Sequence, residues 1–146
     1  MSKVHKILAL ITAREGSKRL PGKNTKNLGG KPLVMWTVDA ALKSKYISDL
    51  MVSSDDCKLL DICKEAGCGI PFTRPAELAT DHSTSSDVVE HALNNIPDKY
   101  DWLLLLQPTS PLRTTNDIDC AIEKAIEKNV DSLVSVVETH SSYYMI

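Results

Sequence analysis

The sequence predicts an α/β fold, in which a doubly wound, mainly parallel sheet carries helices on both faces. Two apolar runs, residues 7–12 and 101–107, are typical of strands that are buried on both sides. Segments with helical spacing of apolar residues alternate with strand-like runs five times along the chain. Since this alternation implies crossover connections between strands, it favours a parallel sheet that helices cover on both faces.

The first predicted strand, residues 7–12, leads into a polar loop that contains glycine and runs over residues 13–30. We expect Lys31 and Pro32 to open the first helix, because the first helical turn does not need the N–H that proline lacks. The apolar stripe of this helix consists of Val34, Val38, Ala41 and Leu42.

The second strand is short, residues 50–53, and residues 54–56 after it supply side-chain oxygens that can cap a helix. We expect this second helix to end at Gly67 in a left-handed turn. A third strand is predicted at about residues 69–73. The apolar face of the second helix consists of Leu59, Ile62, Cys63 and Ala66.

The second half of the chain repeats this pattern. Serines at 83–86 precede the third helix and are expected to cap it. Residues 101–107 are the clearest buried strand, which we take as the centre of the sheet, and a fifth strand is predicted at 133–137. Thr114 and Asp117 have the spacing of a capping box at the start of the fourth helix. The inward faces of these two helices are predicted to be Val88, Val89, Ala92, Leu93 and Ile96, and Ile118, Ile122, Ala125 and Ile126.

Length and composition limit the classes of function. The 146 residues correspond to about one domain, and the net charge of −2 gives no reason to expect nucleic acid or a membrane as partner. No apolar run approaches the roughly 20 residues of a membrane span, and the N-terminus lacks a signal-peptide pattern. We therefore expect a cytoplasmic protein. Its cysteines are expected to be reduced thiols rather than disulfides or a zinc site: Cys57, Cys63, Cys68 and Cys120.

Ligands of such folds bind beyond the carboxyl ends of the strands, so the loops at that edge are the candidate site. The first loop, residues 13–30, has four cations among residues 14–24 together with glycines. Glycine lets backbone N–H groups approach phosphate, and arginine and lysine bind its oxygens. The spacing fits neither a Walker A loop nor a GxGxxG fingerprint. The pattern favours a triphosphate ligand over a plain basic surface loop.

Three motifs resemble those of the acylneuraminate cytidylyltransferases, also called CMP-sialic acid synthetases. They are ARxGSKxxPxKN at 13–24, RPAELATD at 74–81 with the serines at 83–86, and LQPTSPLR at 106–113. The family resemblance extends from Ile7 to about Val137 and implies a Rossmann-like nucleotidyltransferase fold. It also implies that CMP is transferred from CTP to a nonulosonic acid, with release of pyrophosphate.

The resemblance assigns a role to each motif residue. Arg14, Lys18 and Lys23 are expected to bind the triphosphate, with Arg14 and Lys23 acting in catalysis. Gln107 can read the edge of cytosine because an amide offers both a donor and an acceptor. The remaining residues expected to bind CTP or line its pocket are Ser17, Asn24, Arg74, Ser83 and Ser85.

Members of the family also have a C-terminal portion that forms a homodimer and supplies aspartates for Mg²⁺, and we expect residues 1–146 to lack it. Asp55 and Asp56 are interpreted as helix-capping residues rather than metal ligands. Two alternatives remain open. One is a related enzyme for KDO, pseudaminic or legionaminic acid, and the other is a non-catalytic CTP-binding domain, either a fragment or a paralogue.

Overall fold

A computed structural model describes residues 5–17 and 19–138, and the central element is a three-stranded parallel sheet. Its strands are β1 (Ile7–Thr12), β4 (Asp49–Ser53) and β5 (Trp102–Leu106), in the order β4-β1-β5. The sequence placed the strand at 101–107 in the centre, but β1 occupies that position. The chain turns from β1 to β4 on one side and then to β5 on the other, so the winding direction reverses between β1 and β5.

The helices cover both faces of this sheet, as predicted. They are α1 (Leu33–Leu42), α2 (Cys57–Glu65), α3 (Ser85–Asn95) and α4 (Thr115–Lys128). Alternate residues of β1 point to opposite faces. Ile7, Ala9 and Ile11 belong to the cluster that contains residues of α1, α2 and α4, whereas Leu8 and Leu10 pack with Ala92 of α3. Three residues predicted to face inward are instead exposed: Leu42, Leu93 and Ile126.

Several local predictions hold. Asp56 caps α2 by accepting a hydrogen bond from the Leu59 N–H, and Gly67 adopts a left-handed conformation just beyond that helix, with φ of 98°. Thr114 and Asp117 form the predicted capping box of α4. The cap of α3 is Thr84, in a capping box with Asp87, rather than one of the serines.

The start of α1 differs from the prediction. Lys31 and Pro32 form the short strand β3 (Lys31–Pro32), which pairs antiparallel with β2 (Asn27–Leu28). Pro32 is the N-cap, with extended backbone, and the helix begins at Leu33. Proline therefore precedes the helix instead of lying in its first turn. Two single-turn 3₁₀ helices, Lys23–Thr25 and Ala76–Leu78, complete the described elements.

Two predicted strands are wrong. Residues 69–73 contribute a single parallel bridge, between Gly69 and Met51. Residues 133–137 have no regular structure, and Val134 and Val136 are 78% and 90% exposed. A β-strand needs a neighbouring strand for its backbone hydrogen bonds, and residues 133–137 form no such ladder with another described strand. Among the described residues, none of the helices has the length and apolar character that a membrane span requires.

Candidate functional site

A polar cavity of about 320 Å³ lies at the carboxyl ends of β1 and β5, where the winding direction reverses. Ligands of open α/β sheets bind at such switch points. The cavity is lined by eight of the nine residues selected from the sequence; the ninth, Lys18, lies outside the described residues. The eight are Arg14, Ser17, Lys23, Asn24, Arg74, Ser83, Ser85 and Gln107.

The cavity wall has more positively than negatively charged side chains. Among the described lining residues, three are cationic, Arg14, Lys23 and Arg74, and one is a carboxylate, Asp81. Such a wall attracts anions, because a cleft with an excess of one charge concentrates the opposite charge. Gly22 adopts a left-handed backbone conformation, with φ of 63°, immediately before Lys23. Glycine accepts that conformation at little cost, and the 3₁₀ turn that contains Lys23 and Asn24 follows directly.

The first loop is held in place by contacts with distant parts of the chain. The Glu15 N–H donates to Asp55 Oδ1 at 2.9 Å, which joins the loop to the end of β4. Arg14 Nη2 donates to Asp81 Oδ1 at 2.6 Å, which joins it to the second loop, residues 74–86. Within the loop, Asn24 Nδ2 donates to the Arg14 carbonyl at 3.3 Å.

The side-chain oxygen of Asn24 is a hydrogen-bond acceptor at the cavity without a partner in the described part of the chain. Its side chain is buried, and Oδ1 has no hydrogen-bond partner among the described residues. A buried acceptor without a partner costs about 1–3 kcal/mol. Because Asn24 lines the cavity, a bound ligand with an N–H or O–H donor could satisfy this oxygen.

Arg74 lines the cavity, and its side chain is hydrogen-bonded to the end of β4. Its Nε donates to Ser53 Oγ at 3.0 Å and its Nη2 donates to the Ser53 carbonyl at 2.5 Å. Burial lowers the pKa of Arg74, and nearby Arg14 lowers it further, whereas Asp55 acts in the opposite direction. Arg74 therefore stabilises the junction between β4 and the second loop, and contact with a nucleotide remains a prediction.

The second loop is stabilised by its own hydroxyl groups. Ser83 Oγ donates to the Glu77 carbonyl at 3.0 Å and lies 2.9 Å from Thr80 Oγ1. The Thr80 N–H donates to Ser83 Oγ at 3.3 Å. The hydroxyl of Ser83 is thus engaged within the loop in this structure, while Ser85 is the first residue of α3.

The third loop, residues 107–114, is held mainly by short-range contacts. Gln107 lies directly after β5, and Arg113 Nη2 donates to its carbonyl at 3.2 Å. Burial lowers the pKa of Arg113, and its Nη1 is buried without a partner among the described residues. Arg113 lies within the third motif, yet its type and spacing alone predicted no role for it.

Several residues at the site were not predicted from the sequence. Asp81, which lines the cavity, and Arg113, which does not line it, are the informative ones, because each contacts a residue that was selected. A charged residue inside a recognised motif was a usable signal for both. The other lining residues without an assigned role are Thr12, Ala13, Leu78, Thr80, Thr84, Val88, Pro108 and Thr109.

The carboxylates near the cavity are engaged in structural contacts. Asp56 caps α2, as expected, and Asp81 accepts from Arg14. Asp55 was also expected to cap this helix, but its carboxylate accepts from the Glu15 N–H instead. Across the described parts of the chain, no group of three or more His, Cys, Asp or Glu side chains is arranged to hold a metal ion. The four cysteines are free thiols in the structure.

Comparison with known proteins gives a consistent result. A family model described as Cytidylyltransferase matches residues 8–145. The chain is 43% identical over 137 residues to CMP-N,N'-diacetyllegionaminic acid synthase of Legionella pneumophila, covering 88% of this chain and 57% of that protein. It is 40% identical over 143 residues to N-acylneuraminate cytidylyltransferase of Streptococcus agalactiae, covering 95% of this chain and 34% of that protein. The chain therefore spans well under two thirds of the length of either relative.

A solved structure of CMP:2-keto-3-deoxy-manno-octonic acid synthetase complexed with CTP superposes with a TM-score of 0.71. It is 23% identical, and the match covers 85% of this chain and 48% of that one. At this identity the likeness shows the fold alone, and it confirms the predicted Rossmann-like nucleotidyltransferase architecture.

Proposed function

This chain belongs to the cytidylyltransferase family, and we propose from that premise that it binds CTP for transfer of CMP to a nonulosonic acid of the sialic acid type. The observation that carries the proposal is the cavity at the switch point, where Arg14, Lys23 and Gln107 line one space. Cations suit the triphosphate, and the amide suits a base edge.

In the proposed reaction, a hydroxyl oxygen of the sugar attacks the α-phosphorus of CTP. The new bond joins that oxygen to phosphorus, the bond between the α-phosphorus and the bridging oxygen breaks, and pyrophosphate leaves with the electron pair. The hydroxyl proton passes to solvent. Arg14 and Lys23 stabilise the negative charge on the phosphate oxygens and on the leaving group. The reaction needs no protein nucleophile.

Gln107 supplies base selectivity in this proposal. Its backbone follows directly from β5, and a strand end holds a side chain more rigidly than a long loop does. Cytosine presents an amino donor beside ring acceptors, and an amide can bond to both kinds of group. We expect CTP to bind more tightly than UTP, ATP or GTP.

Mg²⁺ enters the proposal only as an ion that accompanies the CTP phosphates. The donor sets on the described residues do not fit a protein-held metal, because the nearby carboxylates cap a helix or hold loops. A cytoplasmic location is supported by the free cysteines, and a homodimer of the whole protein is proposed from the family resemblance alone.

The identity of the sugar has a second candidate. The relative named for a legionaminic acid derivative is 43% identical to this chain, against 40% for the one named for N-acylneuraminate. This difference favours testing a legionaminic acid as an acceptor beside N-acetylneuraminic acid.

The test has a binding arm and a turnover arm. Calorimetric titration of the chain with CTP, UTP, ATP and GTP is expected to show the tightest binding for CTP; equal affinities would contradict base recognition. Pyrophosphate release is then measured with CTP, Mg²⁺ and each sugar, with the Legionella relative as positive control. Selective CTP binding without release of pyrophosphate would favour the alternative of a non-catalytic CTP-binding fragment or paralogue.

A further inference from the structure

An ion pair links the first loop to the second loop on the wall of the cavity. Arg14 Nη2 lies 2.6 Å from Asp81 Oδ1, and the two residues are 67 positions apart in the sequence. Both side chains line the cavity, and each is about one third exposed (35% for Arg14 and 33% for Asp81). The bond therefore lies where a ligand's phosphates would meet Arg14.

The backbone that carries Asp81 is restrained on both sides. Before it, the Thr80 N–H and hydroxyl contact Ser83 Oγ, and after it the His82 N–H donates to Thr80 Oγ1 at 3.3 Å. Ser83 Oγ in turn donates to the Glu77 carbonyl. These hydrogen bonds of the Thr80 and Ser83 hydroxyls close a small turn around Asp81. The turn restrains the backbone of Asp81 and so fixes where its carboxylate can lie.

We propose that Asp81 is the positioning residue of Arg14, holding one edge of the guanidinium so that its other donors face a nucleotide triphosphate. This inference rests on the proposed function, because it assumes that Arg14 meets CTP. The bond to Asp81 uses one N–H, and a guanidinium has five. Arginine that is held before the ligand arrives loses less rotamer freedom on binding.

Asp81 could instead compete with the phosphates for Arg14, and the change in CTP affinity would then have the opposite sign. In that case, removal of the Asp81 charge would strengthen CTP binding. The geometry favours positioning, since the carboxylate engages one nitrogen of Arg14 from a restrained turn and Lys23 provides a further cation for the phosphates.

The experiment compares Asp81→Ala and Asp81→Asn with wild type by calorimetric titration of CTP and of cytidine. We expect Asp81→Ala to weaken CTP binding about tenfold, and Asp81→Asn about threefold, because asparagine still accepts a hydrogen bond but lacks the charge. Cytidine affinity is expected to stay within about twofold, since cytidine has no phosphates. Asp98→Ala is the matched control, because it removes the exposed Lys6–Asp98 ion pair at the opposite end of β1.

A double-mutant cycle tests whether Asp81 acts through Arg14. In an Arg14→Ala background, Asp81→Ala is expected to have no further effect on CTP affinity. Unchanged or tighter CTP binding by both Asp81 variants would overturn the inference, as would an equal loss for cytidine and CTP. If the alanine variant unfolds, the sign of the asparagine effect decides. A wild-type chain that binds CTP no better than cytidine would instead overturn the proposed function itself.

Discussion

The loops that follow β1 and β5 lie side by side at the cavity, yet they are held in different ways. The first loop is joined to the rest of the molecule by Asp55 and Asp81, which lie 40 and 67 residues from their partners. In the third loop, Arg113 reaches the Gln107 carbonyl over six residues, and Thr114 begins a capping box. The side of the site that we propose for the phosphates thus depends on long-range contacts, whereas the side that we propose for the base depends largely on local ones.

The largest effect is expected from Lys23→Ala in the first loop. Loss of the ammonium should weaken CTP binding about 30-fold, because charged hydrogen bonds to phosphate are lost, while cytidine binding changes little. Calorimetry with both ligands measures this difference, and it should shrink at high salt. Lys26→Ala is the matched control, an exposed lysine of the same loop that does not line the cavity. Equal losses for both ligands would mean that Lys23 supports the loop structure instead.

In the third loop, Gln107→Met should reduce base selectivity while leaving the phosphates bound. We expect the preference for CTP over UTP to fall about tenfold, because methionine has a similar length and no amide. Competition titrations with CTP, UTP and inorganic triphosphate separate the two sides of the site. A preserved CTP preference would show that the base is read elsewhere.

Asp55→Ala tests the long-range support of the first loop. Without the acceptor for the Glu15 N–H, the loop loses its attachment to β4, and we expect CTP binding to weaken about fivefold. Asp55→Asn should restore part of the affinity because it keeps an acceptor. Asp61→Ala, on the exposed side of α2, is the control. Loss of base selectivity without loss of triphosphate affinity would contradict the division between the loops.

Arg113→Ala is the corresponding change in the third loop, with a smaller effect. The Gln107 carbonyl loses one of its two donors among the described residues and keeps the Ser110 N–H, so the direction of the Gln107 side chain is less restricted. We expect the preference for CTP over UTP to fall about threefold, with unchanged affinity for inorganic triphosphate. A reduced triphosphate affinity would place Arg113 on the phosphate side.

The smallest effect concerns stability and pH. The backbone N–H of Thr114, followed by its hydroxyl and by Arg113, lowers the pKa of Asp117 below the ordinary value of 3.8. A carboxyl with a lower pKa in the folded state adds stability above its unfolded pKa and loses it as the pH falls through the folded value. The melting temperature of Asp117→Asn should therefore be lower than that of wild type at neutral pH. The two melting temperatures should converge in strong acid. Asp87→Asn in α3 should behave alike, since hydrogen bonds from Thr84 also lower the pKa of Asp87.

The sequence by itself determined the features that depend on near neighbours. The capping positions of Asp56 and Thr114, the left-handed turn at Gly67 and the buried strand β1 follow from residue type and spacing within a few positions. The motifs also selected eight residues that line one cavity, because loops after parallel strands meet at one edge of the sheet. Their roles toward CTP stay predictions.

Only the tertiary structure decided which distant groups meet. Asp81 contacts Arg14 and Arg74 contacts Ser53 through folding of the whole sheet, and no local pattern specifies such partners. The same reason explains the strand predictions that are wrong. Residues 69–73 and 133–137 have strand-like composition, but a strand exists only where a neighbouring backbone accepts and donates its hydrogen bonds. Composition records the propensity of a segment, whereas pairing is a property of the assembled sheet.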